Sequence, residues 1–214
     1  VEGGSREYLA PLTQRVADSI RTRMPVSRIL RPPGKPVVVQ FTNGQTREFD
    51  EVVIATHSDE ALKMLGDPTD HERSVLGAMP YRDNEVILHT DTRLLPKQQR
   101  AWSSWNYRLK PGNGRATVTY NMNILQGLDA PETFCVTLND TASINPRHIL
   151  GRFNYAHPQF TVESMQAQQR WADINGHNGT WFCGAYWQNG FHEDGLASGL
   201  RVAESLCSAR QMAA

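Results

Sequence analysis

Val52-Val53-Ile54-Ala55-Thr56 is a short, uninterrupted apolar run, and a strand of that kind belongs where both faces are covered, as in a parallel sheet. Ser58-Asp59-Glu60 follows and opens a helical stretch through Ala61, Leu62 and Leu65. Far along the chain a second apolar strand, Thr180-Trp181-Phe182-Cys183-Gly184, leads through a glycine-rich loop into a helix over 195–209, with Leu196, Leu200, Ala203 and Leu206 on one side. The middle has a different texture. Segments 84–89, 101–108, 115–121 and 133–138 read as strands split by Gly, Pro, Asn and Asp turns, 107–114 as a hairpin and 164–174 as a helix. Gln126-Gly127-Leu128 and Tyr155-Ala156-His157-Pro158 read as turns. The fold class predicted is α+β (mixed α/β), with α/β elements at both ends flanking a mostly antiparallel sheet with helices, one domain interrupted by another.

The N-terminal part adds a helix and a hairpin. Tyr8, Leu12, Val16 and Ile20 recur every fourth residue and predict one apolar stripe, with Arg15, Asp18 and Arg21 on the other face and Pro11 in the first turns. Val37–Phe41 and Thr46–Phe49 pair about the turn Thr42-Asn43-Gly44-Gln45. The chain opens on Val1-Glu2-Gly3-Gly4 without an initiator Met, which reads as a piece of a longer protein.

Composition narrows the function classes. Lys+Arg and Asp+Glu are both 22 among 214 residues, so the formal charge is zero, which argues against a protein that coats nucleic acid or an anionic membrane. No run approaches the roughly 18–20 apolar residues of a transmembrane segment. Three cysteines without a C-x-x-C pair suit a reducing, cytoplasmic setting, with neither a disulfide framework nor a zinc site. The sequons at Asn139 and Asn178 are then chance. No Gly-x-Ser-x-Gly elbow supports hydrolysis.

The strongest chemical signal is the stretch from Gly184 to Gly199, a buried strand ending in Gly, an aromatic loop and a helix starting near Asp194. A helix start offers unpaired N–H groups and about half a positive charge, which suits a phosphate or an electron-rich ring edge. The same residues also fit a glycine-rich turn with Asp194 merely capping the helix. His192, Glu193 and Asp194 are adjacent and cannot converge on one ion without strain, so no metal is expected. In Trp102-Ser103-Ser104-Trp105-Asn106-Tyr107 alternation sets Trp105 and Tyr107 on one strand face and Trp102 on the other, either as a half-buried strand or as an aromatic wall of a substrate cavity. His57, just past the first apolar run, lies near a ligand or on a surface loop.

Gly190-Phe191-His192-Glu193-Asp194-Gly195-Leu196-Ala197-Ser198-Gly199 is similar to the C-terminal flavin motif of the flavin-containing amine oxidases and their phytoene-desaturase-like and protoporphyrinogen-oxidase-like relatives. Gly3-Gly4, the helix and Val26-Ser27-Arg28-Ile29 resemble that family's Gly-Gly, helix, Val-x-x-Ile element, and Phe49 to Thr56 resembles its Asp-x-Val-Val-x-Ala strand. With Trp102 to Tyr107, the pattern resembles a bacterial subgroup described as predicted NAD/FAD-binding proteins. The resemblance covers the whole chain but only the later part of a full-length member.

What the resemblance implies is an FAD-dependent oxidoreductase of a small-molecule substrate, with hydride passing from a substrate C–H to flavin N5. Val26 matches the position whose backbone meets the FAD adenine, Ala55 and Thr56 the segment near the adenosine and pyrophosphate, and Gly184 the glycine near the pyrophosphate and ribityl chain. Glu193, Asp194, Gly195 and Leu196 match the helix start facing the flavin pyrimidine edge. Phe191, Trp187, Trp102, Trp105 and Tyr107 would shape the substrate pocket, with Phe where many members carry Tyr at 191. Residues 1–60 and 178–214 would be partial FAD-binding elements and 61–177 the substrate-binding domain. The G-x-G-x-x-G fingerprint is absent, and 112–117 lacks the third Gly and precedes a strand. The missing N-terminal dinucleotide-binding half is therefore an expected partner, and this chain alone is expected to hold FAD weakly or not at all and to be inactive. No catalytic residue is identified, and Lys63, Lys97 and Lys110 match a flavin-side lysine by residue type only. A desaturase- or isomerase-like flavoprotein for an apolar or lipid substrate and a non-catalytic binding module on the same fold are the alternatives.

Overall fold

A computed structural model describes residues 4–109 and 117–213. A short helix α1 (Leu9–Thr13) precedes strands β1 (Val26–Leu30), β2 (Val37–Phe41), β3 (Thr46–Phe49) and β4 (Val52–Ile54), then helices α2 (Ser58–Met64) and α3 (Asp70–Gly77). Strands β5 (Tyr81–His89), β6 (Trp105–Arg108), β7 (Thr117–Asn121), β8 (Cys135–Leu138) and β9 (Ile149–Pro158) follow, with α4 (Met122–Gln126) after β7. Then come α5 (Val162–Gln168), β10 (Thr180–Phe182) and the long α6 (His192–Ala213). The fold is α+β. It divides into two compact units, Ser19–Arg82 with Pro158–Ala214, and Val1–Asp18 with Asp83–His157.

In the first unit β4 and β10 run parallel, Val52 beside Thr180 and Ile54 beside Phe182, and the Cys183 N–H extends the ladder to the Ile54 carbonyl at 3.1 Å. The apolar run is covered on one face only. Ile54 is buried whereas Val53 is 45% exposed, side chains alternating along the strand, while Val53's β10 neighbour Trp181 is buried, so cover on that face reaches β10 but not β4. The strands β1, β2 and β3 form an antiparallel meander, with the predicted turn at Thr42–Gln45 and Gly44 at φ +84°. Helices α2, α3 and α5 share one core with both sheets, in which Ile29, Ala61, Leu76, Trp171 and Phe182 are buried. Each fully buried aliphatic or aromatic side chain there contributes about 1.5–3 kcal/mol. Just past β1, the buried Arg31 guanidinium binds Glu72 through both terminal nitrogens and donates from Nε to Asp67 at 3.0 Å. Glu72 also accepts from the Thr69 N–H at 2.7 Å and closes a capping box at the start of α3.

Two helices differ from expectation. The helix read over 164–174 ends at Gln168 and resumes as a 3-10 turn at Trp171–Asp173. In α6 the buried stripe is Asp194, Ser198 and Val202, and the predicted stripe residues Leu196 and Leu200 are 57% and 54% exposed. Gly195 packs over the Gly184–Ala185 turn, where an added Cβ would make ordinary contact with Ala185 at 3.9 Å.

The second unit is built on a five-stranded sheet ordered β6-β7-β8-β5-β9. β6 pairs antiparallel with β7, and β8 with both β7 and β5. The strands that flank the hairpin read over 107–114 pair with each other, while residues 110–116 lie outside the described residues. The turn read at 155–158 is instead the end of β9, in which Phe153 and Tyr155 stack with ring centroids 5.8 Å apart. The N-terminal stripe is also different. Only Leu9–Thr13 is α-helical, flanked by 3-10 turns, and Leu9, Leu12 and Val16 are all exposed. Pro11 within so short a segment supplies no N–H, and no core covers the stripe.

The sheet's two faces differ. On one, Asn106, Thr119, Thr137 and the buried Ile87 lie in one cross-strand row, and Thr117, Asn121, Cys135 and His89 are buried beside it. His89 Nδ1 accepts from the Asp91 N–H at 3.0 Å, so the Nε2 hydrogen points to Thr137 Oγ1 at 2.7 Å, and Thr137 meets Thr119 Oγ1 at 2.8 Å. On the other, Trp105, Tyr120, Val136 and Leu88 form one cross-strand row and Tyr107, Val118, Leu138 and Val86 a second.

Candidate functional site

The first unit carries a groove of about 500 Å³ lined by Val26, Ile29 and Val39 from the meander, Val52–Thr56 from β4 and its exit, and Met64, with Glu60 and Lys63 at the rim. Its walls are apolar because β1 and β2 present their β-branched side chains to β4. Thr56, Glu60 and Lys63 supply the polar edge, and Lys63 Nζ lies 2.9 Å from Asp59. Three residues singled out in sequence, Val26, Ala55 and Thr56, line this one groove.

Gly184 adjoins them. It follows β10 at φ +155°, and a Cβ there would stand 2.5 Å from the Tyr186 ring and 3.5 Å from the Thr56 carbonyl oxygen. Only glycine fits that turn. Its N–H donates to the buried Ser198 Oγ at 3.0 Å, which ties the strand exit to α6. Asp194 does more than cap from outside. As the third residue of α6 it accepts from the Phe191 N–H at 2.9 Å and the Asn189 N–H at 3.1 Å, fixing the loop into the helix. Glu193 is exposed, Leu196 as described, and Gly195 packs near Ala185.

The residues predicted to shape a substrate pocket are divided between the two units. Trp187 is buried in the core of the first unit, while Phe191, at the entry to α6, is 60% exposed. Trp102, Trp105 and Tyr107 belong to the second unit, where Trp105 packs edge-on to Tyr120 at 5.2 Å and Trp102 donates its indole N–H to the Pro96 carbonyl. Of the lysines matched by type, Lys63 borders the groove, Lys97 is exposed, and Lys110 lies outside the described residues. Sequence reading missed the His57–Tyr81 stack, with centroids 4.1 Å apart immediately after Thr56, where burial pushes the Tyr81 phenol up to about 12. The order His57-Ser58 at a strand exit was the available signal, but Tyr81 comes to it only through folding. Among the described residues no group of His, Cys, Asp and Glu could hold a metal ion.

An apolar slot with a hydroxyl and charged rim, beside a glycine whose Cβ would fill the turn, fits the adenosine and pyrophosphate of a dinucleotide. A parallel strand pair whose exits meet such a groove and a long helix, with an antiparallel sheet in the companion unit, defines an α+β chain. The model of the flavin containing amine oxidoreductase family matches residues 1–207, and the chain belongs to that family. Similar solved structures include putrescine oxidase bound to putrescine (11% identity, TM-score 0.63, 97% of this chain and 53% of that one). A fatty acid isomerase from P. acnes matches at 15% identity and TM-score 0.56, over 85% of this chain and 47% of its own. Reduced UDP-galactopyranose mutase matches at 10% identity and TM-score 0.55, over 82% and 44%. The chain thus spans about half the length of the structures it resembles. No curated protein sequence matches it. No helix among the described residues is long and apolar enough to cross a membrane.

Proposed function

We propose that the chain is part of an FAD-dependent oxidoreductase acting on a small molecule in the cytoplasm. The observation that carries this reading is the convergence of Val26, Ala55 and Thr56 on one groove, with Gly184 against Thr56 and α6 tied to Gly184 through Ser198. When bound, a flavin supplies the acceptor for a hydride leaving a substrate C–H. The chain's own part is to bind and orient. The Val26 backbone and the apolar walls would hold the adenine end, and Thr56 with the neighbouring Gly184 would stand near the pyrophosphate. The α6 start at Glu193, Asp194, Gly195 and Leu196 carries the partial positive charge of a helix N-terminus, which would favour negative charge on a reduced ring held there. Phe191 and Trp187, with Trp102, Trp105 and Tyr107, are assigned to the substrate.

The groove-bearing unit holds most of 1–60 and all of 178–214 and takes the cofactor role, and the sheet-bearing unit holds most of 61–177 and takes the substrate role. A dinucleotide-binding half is the partner this reading requires, since the sequence carries no G-x-G-x-x-G turn to grip the pyrophosphate. The test is visible absorption of a longer form carrying such a half beside the 214-residue chain. Oxidised-flavin bands in the long form, with none or weak ones in the short chain, are expected. A colourless long form that takes up no added FAD overturns the oxidoreductase reading.

A further inference from the structure

We infer that His57 is a positioning residue for the groove: stacked on Tyr81, it fixes the Thr56 turn beside which the pyrophosphate is assigned, an inference that rests on the flavin reading above. The signal is a broken local rule. Helices α3, α4 and α5 start after Thr69, Asn121 and Thr161, and each of these side chains accepts a hydrogen bond from its own first turn. Helix α2 starts after His57, which makes no such bond. A short oxygen-bearing side chain would serve that helix start better than imidazole does. Departures of this kind gather where a side chain is needed for something else.

The half-buried imidazole stacks instead. Its ring centroid lies 4.1 Å from that of Tyr81, with the planes 15° apart. The Tyr81 phenol takes a backbone hydrogen bond from Ser58, so a β5 side chain answers an N–H of the first turn of α2 that has no partner within the helix. The buried Ser58 hydroxyl donates to the Met79 carbonyl at 2.7 Å. Together these contacts tie residues 57–58 to 79–81. Thr56, where the groove's β4 wall ends, donates its own hydroxyl to the His57 carbonyl at 3.2 Å. Its place is therefore set by its neighbour. On the other side the Thr56 carbonyl lies 3.5 Å from where a Cβ on Gly184 would stand, so a shift of this turn changes the gap between the two strand exits. His57 acts on the groove through Thr56 and does not itself line it.

The test follows the amide resonances of the 214-residue chain by NMR during titration with ADP, which carries adenosine and pyrophosphate without the flavin ring. Saturable shifts at Val26, Ala55 and Thr56 are expected. His57→Asn supplies a good cap and removes the stack, so thermal stability should hold or rise while ADP affinity falls by about fivefold or more. A merely structural role would keep affinity together with stability. His57→Phe keeps a flat ring against Tyr81 and should bind ADP within about twofold of the wild type. The inference is overturned if His57→Asn binds as the wild type does, or if His57→Phe loses as much as His57→Asn. No ADP-dependent shift at Val26, Ala55 and Thr56 in the wild type overturns the groove assignment and this inference together. Binding there that is indifferent to position 57 rejects the inference alone.

Discussion

Gly184 and His89 show how much one position can decide. At Gly184 the backbone sits at φ +155° with the Tyr186 ring against the place a Cβ would take, so Gly184→Ala must move a buried aromatic as well as strain the chain. A loss of about 1–3 kcal/mol is expected, measured by urea unfolding. His89 is neutral for a different reason. Burial lowers its pKa, the nearby His148 adds to the lowering, and Asp91 opposes it only in part. The unfolded chain therefore binds a proton that the folded one refuses between the depressed value and the ordinary value of 6.5. Stability is complete above that ordinary value and falls as pH drops through the window. Urea midpoints taken from neutral pH down to 5 should show the decline, and His89→Gln should flatten it.

At the scale of elements, two helix starts depend on a carboxylate in their own first turn. Glu72 serves both the α3 capping box and the buried Arg31, so Glu72→Ala leaves a guanidinium with only Asp67 to answer it. That should cost about 3–5 kcal/mol, whereas the paired exchange Arg31→Met with Glu72→Leu should recover most of it, as thermal melts would report. Asp194→Ala frees the Phe191 and Asn189 N–H groups at the α6 start and should cost about 1 kcal/mol, Asp194→Asn less. Neither change touches the second unit, so circular dichroism of its sheet provides the control.

For the molecule as a whole, charge balance and surface chemistry set behaviour in solution. With 22 acidic and 22 basic side chains and a pI near 7.2, repulsion between copies is weakest near neutral pH. Self-association measured by light scattering should peak near pH 7.2 and fall on either side. Leu12→Glu with Val16→Glu, on an exposed stripe, should reduce it while changing stability by no more than about 0.5 kcal/mol.

The amino-acid order by itself determined the local grammar. The hairpin about Thr42–Gln45, the strands at Val52 and Thr180 and the helix after His192 follow from turn residues, apolar runs and caps, which act over a few residues. The family motif from Gly190 to Gly199 was legible for the same reason, being contiguous. Tertiary structure decided which faces those elements present. Leu196 and Leu200 turned outward as Asp194, Ser198 and Val202 took the buried side of α6, and Val53 stayed open beside the buried Trp181. Tyr81 reached His57, and Val26 reached Thr56, across intervals that no local pattern spans. Burial and contact are properties of chains already folded back on themselves, and alternation along a strand says that two faces differ without saying which one the rest of the protein will cover.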